Sequence, residues 1–86
     1  MRTVLSIGSA SVDIKAFSYQ EDVQNAYREG TIDLVPGGVA RGMAINLRQL
    51  GFTTAICSVV GQDIFGEYIR KNLETAQVRT ELLRTS

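Results

Sequence analysis

PGGVARGMAINLRQLG at residues 36–51, followed by FTTAICSVV at residues 52–60, decides the fold. Pro36, Gly37 and Gly38 stop whatever precedes them. From Val39 the apolar residues recur at helical spacing. Val39, Ala40, Met43, Ala44, Leu47 and Leu50 share one face, and Arg41, Arg48 and Gln49 lie away from its centre. Gly51 stands where a glycine ends a helix. Gly42, inside the helix, costs about 1 kcal/mol relative to Ala and so asks for a reason. Thr53–Val60 is almost continuously apolar and of strand length, the pattern of a parallel strand covered on both faces. A helix feeding such a strand makes half of a right-handed crossover.

Downstream, Gly61-Gln62-Asp63 reads as a turn with Asp63 as N-cap. Ile64–Ala76 then places Phe65, Tyr68, Ile69, Leu73 and Ala76 on one helical face, and Gln77–Ser86 begins a further strand that stops abruptly. Upstream, Thr3–Gly8 is a short β-branched strand closed by Gly8, and Ser9-Ala10-Ser11 is a small-residue connection. Val12–Ser18 alternates, with Val12, Ile14 and Ala16 on one face and Asp13, Lys15 and Phe17 on the other. Thr31–Val35 is again strand-like. Val12–Ser18 and Thr31–Val35 are therefore expected to pair as an antiparallel ribbon with one wet face. Tyr19–Gly30 is polar, with a single helical turn through Val23, Ala26 and Tyr27 as its only periodicity. The order β-β-β-α-β-α-β predicts an α/β layered sheet from which the ribbon is an excursion.

Composition removes several functions. The chain has 86 residues, 44% hydrophobic and 21% charged, which fits one small globular domain. Its 9 basic and 9 acidic residues cancel, and the bases are spread from Arg2 to Arg84, so no electrostatic footprint for nucleic acid exists. No apolar run spans a bilayer, and the N-terminus lacks the pattern of a signal peptide. With Cys57 as the lone cysteine, a reducing cytoplasm is the expected location. The absence of His excludes zinc sites built on it, Ser-His-Asp triads and Cys-His dyads. No G-x-x-x-x-G-K-[ST] occurs. Gly8-Ser9-Ala10-Ser11 is not G-x-G-x-x-G and leads into a strand, which argues against a nicotinamide dinucleotide.

Two features could hold a ligand. Gly37 and Gly38 before a helix let backbone approach a ligand closely, and the helix N-terminus offers N–H groups to hydroxyl or anionic groups. The plain alternative is a turn between strand and helix. Asp13, just after the Gly8–Ser11 turn, can accept from two vicinal hydroxyls; its plain alternative is a solvated strand residue.

Taken together, Ile7-Gly8-Ser9-Ala10-Ser11-Val12-Asp13, Pro36–Ala44, Asn46–Gly51 and Val60–Gly66 resemble the N-terminal signature of the ribokinase-like (PfkB) carbohydrate kinases. The Gly-Val-Ala-Arg run at residues 38–41 is similar to the branch that includes pseudouridine kinases. The resemblance implies the N-terminal portion of a three-layer α/β/α sheet, with residues 12–18 and 31–36 as strands of a small β lid. It implies a sugar or nucleoside acceptor held by Ser11, Asp13, Gly37 and Gly38, and a lid that serves some members as a homodimer contact. Where many members carry a sugar-contacting Asn, this chain has Gly42, and Arg41 is the neighbour placed to compensate.

Family members are several times longer. Their catalytic Asp, in a Gly-Ala-Gly-Asp-like motif near the C-terminus, has no match in residues 1–86. ATP and Mg²⁺ accordingly belong to the parent enzyme. The chain is expected to be one partial domain, the substrate-binding segment of such a kinase and inactive alone. The other reading is a non-catalytic ligand-binding or interaction module made from that fold.

Overall fold

A computed structural model of the chain describes residues 3–18 and 30–86. The elements are β1 (Thr3–Ile7), β2 (Ser11–Ser18), β3 (Gly30–Gly37), α1 (Val39–Gln49), β4 (Thr53–Val60), α2 (Ile64–Thr75) and β5 (Arg79–Thr85). The order is the expected one. The helical turn expected within residues 19–30 lies almost wholly outside the described residues.

β1, β4 and β5 form a parallel sheet in the order β1-β4-β5. Both crossovers step the same way along the sheet, so right-handed connections put α1 and α2 on the same face. The core confirms this placement. Ala40 and Ala44 of α1, Ile69 and Leu73 of α2, Ile56 and Val60 of β4, and Leu83 of β5 form one buried cluster. The register between β4 and β5 slips between Ala55 and Cys57. Such a bulge shifts the alternation of β5, which is why Leu82 is half exposed beside buried Leu83.

Two burial expectations change. β4 buries Thr54, Ile56, Ser58 and Val60 under the helices, but Val59 on its other face is exposed, together with Ile7 of β1 and Leu82 of β5. Among the described residues the sheet is thus covered on one side. On α1 the buried line runs through Ala40 and Ala44, while Val39 and Leu50 are 73% and 75% exposed. On α2, Ile69 and Leu73 are buried, and Phe65 and Tyr68 are not. In each helix the small or central residue packs and the flanking large ones stay outside.

The helix ends follow local chemistry. Asp63 caps α2, its Oδ1 accepting from Gly66 N at 2.9 Å. Both C-termini are Schellman turns. Phe52 N donates to Leu47 O and Gly51 N to Arg48 O; Val78 N donates to Leu73 O and Gln77 N to Glu74 O. Gly51 has φ +101°, as a terminating glycine should, whereas Gln77 takes the same role at φ +63° with a side chain. That side chain is used: Gln77 Oε1 accepts from Arg48 Nη2 at 2.9 Å and ties the two helix ends together.

β2 and β3 pair antiparallel, from Ser11 opposite Gly37 to Ser18 opposite Gly30. The register puts Ser11, Asp13, Lys15, Asp33, Val35 and Gly37 on one face. Ile14, Ile32 and Leu34 share the other face, and all three are exposed. Among the described residues the ribbon is buried at its base, around Gly37, and it projects from the sheet. The radius of gyration is accordingly 16.2 Å, against about 12 Å for a compact chain of this length. No helix of the described residues is long and apolar enough to cross a membrane.

Candidate acceptor site

The candidate site forms where the base of the ribbon meets the end of β1 and the start of α1. Gly8 closes β1 at φ +146°, and its peptide is held on both sides by β4. Gly8 N donates to Cys57 O at 3.2 Å, and Ser58 Oγ donates to Gly8 O at 2.5 Å. Ser6 Oγ, buried, donates to Ala40 O at 2.8 Å and pins α1 to β1.

Ser9 is the residue that sequence reasoning missed, because a serine in a run of small residues carries no pattern. Its Oγ accepts from Val39 N at 3.1 Å, and its carbonyl accepts from Arg41 N at 3.2 Å. Gly38, with φ +95°, lies directly against it: a Cβ there would stand 2.5 Å from Ser9 O. At the start of α1 two of the end N–H groups, those of Val39 and Arg41, are taken by Ser9.

Asp13 sits over the neighbouring glycine. A Cβ on Gly37 would stand 2.6 Å from Asp13 Oδ2 and 3.0 Å from Oδ1, so the carboxylate lies against a bare Cα. Asp13 is exposed, and among the described residues no donor pairs with its carboxylate. Ser11 is exposed opposite Gly37 in the ribbon register. The base of the ribbon thus brings Ser11, Asp13, Gly37 and Gly38 together.

Arg41 points elsewhere. Its Nε donates to Gly37 O at 2.8 Å and its Nη1 to Asn72 Oδ1 at 3.2 Å, so the guanidinium bridges the glycine turn to α2. Gly42 faces open space, with nothing within 4 Å of where a Cβ would be.

This arrangement offers carboxylate oxygens and a side-chain-free glycine surface. It suits hydroxyl donors, which a carboxylate accepts well, and it repels phosphate. The grooves of the described surface lie beside it. One of about 200 Å³ runs past Ser11, Val12 and Gly66, and a larger one of about 590 Å³ lies at the start of α2 between Asp63 and Thr85. A third, of about 580 Å³, runs along the exposed face of the sheet past Gly8, Ser9 and Ala10.

Comparison with known proteins places this site in context. A pseudouridine kinase of Escherichia coli is 38% identical over 64 residues, which cover 74% of this chain and 20% of that protein. A carbohydrate kinase from Agrobacterium tumefaciens superposes on all of this chain and on 28% of its own, with a TM-score of 0.90 and 28% identity. A sugar kinase from Pyrococcus horikoshii, solved in complex with ATP, covers 96% of this chain and 26% of its own, with a TM-score of 0.79 and 29% identity. The chain spans about a fifth to three tenths of the length of the relatives it matches. The family model for pfkB carbohydrate kinases matches residues 1–86. A match that takes in the sheet, both helices and the ribbon, and not one motif alone, means that the chain belongs to the pfkB family of carbohydrate kinases.

Proposed function

We propose that this chain is the N-terminal, acceptor-binding segment of an ATP-dependent kinase that phosphorylates a hydroxyl of a sugar or nucleoside, and that alone it transfers no phosphate. The observation that carries the reading is the Asp13 carboxylate, without a described protein partner, set against Gly37 at the root of the ribbon. In this role Asp13 accepts hydrogen bonds from acceptor hydroxyls. Gly37 and Gly38 let the ring approach the backbone, Ser11 adds a polar contact, and the ribbon lies over the acceptor to exclude water. The exposed ribbon face of Ile14, Ile32 and Leu34 supports pairing of two lids in a homodimer. The lone Cys57 supports a cytoplasmic setting.

The donor side does not fit the described residues. ATP supplies the phosphoryl group and a divalent cation such as Mg²⁺ neutralises its charge. Among the described residues no group of acidic, His or Cys side chains is arranged to hold a metal ion. At the α1 N-terminus Ser9 already takes the N–H groups of Val39 and Arg41. The acceptor's proton also needs a base, and residues 1–86 contain no Gly-Ala-Gly-Asp-like motif to provide it.

The test is ADP release by the full-length protein over a panel of sugars and nucleosides, beside the 86-residue chain. The full-length protein should show acceptor-dependent release and the isolated chain none. Turnover by the isolated chain, or no acceptor-dependent turnover by the full-length protein, overturns the reading.

Gly42 gives a second prediction. A Cβ at this position meets nothing within 4 Å, and replacing a mid-helix Gly gains a few tenths of a kcal/mol. Gly42→Asn in the full-length protein should keep or raise Tm and lower the acceptor KM by about fivefold through one added hydrogen bond. A rise in KM would mean that the open space at Gly42 is used by a bulkier acceptor.

A further inference from the structure

We infer that Arg41 and Asn72 are positioning residues that hold the Gly37 peptide, and with it the surface against which Asp13 works. The inference rests on the acceptor-binding reading above. Gly37 and Gly38 are adjacent glycines, the dipeptide with the most backbone freedom to lose on folding. They also join two separately anchored bodies, the ribbon and α1. Gly38 is fixed from one side by Ser9 O and Ala10 Cα, which crowd it. Gly37 is fixed by its carbonyl, which accepts from Arg41 Nε at 2.8 Å.

An arginine one turn into a helix can reach that carbonyl from several rotamers. Asn72 selects one. Its Oδ1, 31 residues further along the chain, accepts from Arg41 Nη1 at 3.2 Å, so two nitrogens of one planar fork are held by α1's own preceding turn and by α2. Arg41 is therefore spent on a carbonyl and an amide, which leaves the Asp13 carboxylate open to a ligand. The same line of α2 touches β3 once more. Tyr68, four residues before Asn72 and hence on the same helical face, has its hydroxyl 3.3 Å from Leu34 O. α2 thus grips β3 at Leu34 directly and at Gly37 through Arg41, and sets the angle of the ribbon over the site. No pattern in the sequence marks Asn72, because a single Asn on a polar helix flank is ordinary.

The test uses Asn72→Ala and Asn72→Asp in the full-length protein, the second keeping an acceptor oxygen for Arg41. Two readouts are taken: amide hydrogen exchange over Gly37–Ala40, and the KM of acceptor and of ATP separately. Asn72→Ala should speed exchange in that segment and raise the acceptor KM, each by about tenfold, the worth of one charge-assisted bond. The KM of ATP should stay unchanged, and Asn72→Asp should restore both values. Arg41→Lys should behave like Asn72→Ala, because an ammonium cannot span both partners. Unchanged exchange over Gly37–Ala40 overturns the inference whether or not the protein phosphorylates anything. A KM that rises equally for acceptor and ATP also overturns it, since that is mere loss of fold. A wild-type protein without acceptor-dependent turnover would instead refute the kinase reading, and the exchange result would still decide the role of the strut.

Discussion

Gly38→Ala should cost about 2–5 kcal/mol of stability, the sum of a backbone and a packing penalty. The backbone part arises because φ is +95°, a region that L side chains rarely adopt. The packing part arises because the new Cβ would stand 2.5 Å from Ser9 O and 2.8 Å from Ala10 Cα. Both obstacles are backbone, and neither can retreat. Ser9 O accepts from Arg41 N, and Gly8 just before it is held by Cys57 and Ser58. Native proteins have only about 5–15 kcal/mol in all, so the variant should lose much of its folded population. Gly51→Ala is the control. Gly51 has a similar φ of +101°, but nothing lies within 4 Å of its missing Cβ, so that variant carries the backbone penalty alone. Urea midpoints of the two should differ clearly, with Gly38→Ala the lower. Equal midpoints would mean that the Ser9–Gly38 contact relaxes at no cost, and the site would lose its fixed floor.

Much of this fold was legible because its signals are local. Glycines at 8, 37, 38 and 51 punctuate the chain at the observed element ends, and the apolar run of β4 and the periods of α1 and α2 give element type. Alternation in Val12–Ser18 and Thr31–Val35 gave the ribbon, whose first strand starts one residue earlier, at Ser11, and whose second runs from Gly30 to Gly37. What was not legible is how each apolar stripe is shared out. A helical period marks an arc of the surface, but not which part of it meets the sheet. Here close approach of α1 to the sheet selects Ala40 and Ala44, and the larger Val39 and Met43 at the edge of the arc remain exposed. The continuous apolar run of β4 records two faces suited to burial, and the described residues cover one of them. At the candidate site, Asp13 and the glycine pair could be named through the ordered motifs that resemble the family, since taken alone a strand carboxylate and a Gly-Gly turn are ordinary. Ser9, Asn72 and the true direction of Arg41 could not, because their partners lie 30 or 31 residues away and only the fold brings them together.

Asp13→Ala in the full-length protein should weaken acceptor binding by about 1.5–3 kcal/mol, the usual worth of hydrogen bonds to a charged group. Affinity for ATP should not change, since the Asp13 carboxylate repels phosphate and serves only the acceptor. Stability should shift by less than about 0.5 kcal/mol, because Asp13 is exposed and no described residue donates to it. That separation makes the result readable: a loss of acceptor affinity without loss of fold belongs to the ligand. Unchanged acceptor affinity would remove Asp13 from the site and leave only a glycine surface, too weak in polar contacts to choose among sugars. Asp13→Asn then asks how many hydroxyls are held. It keeps the shape and one acceptor oxygen but turns the other into a donor. If the ligand donates a single hydrogen bond, the amide can flip to present its oxygen and most of the affinity should return. If two vicinal hydroxyls each donate to one carboxylate oxygen, the amide meets one of them with the wrong group, and Asp13→Asn should be as weak as Asp13→Ala.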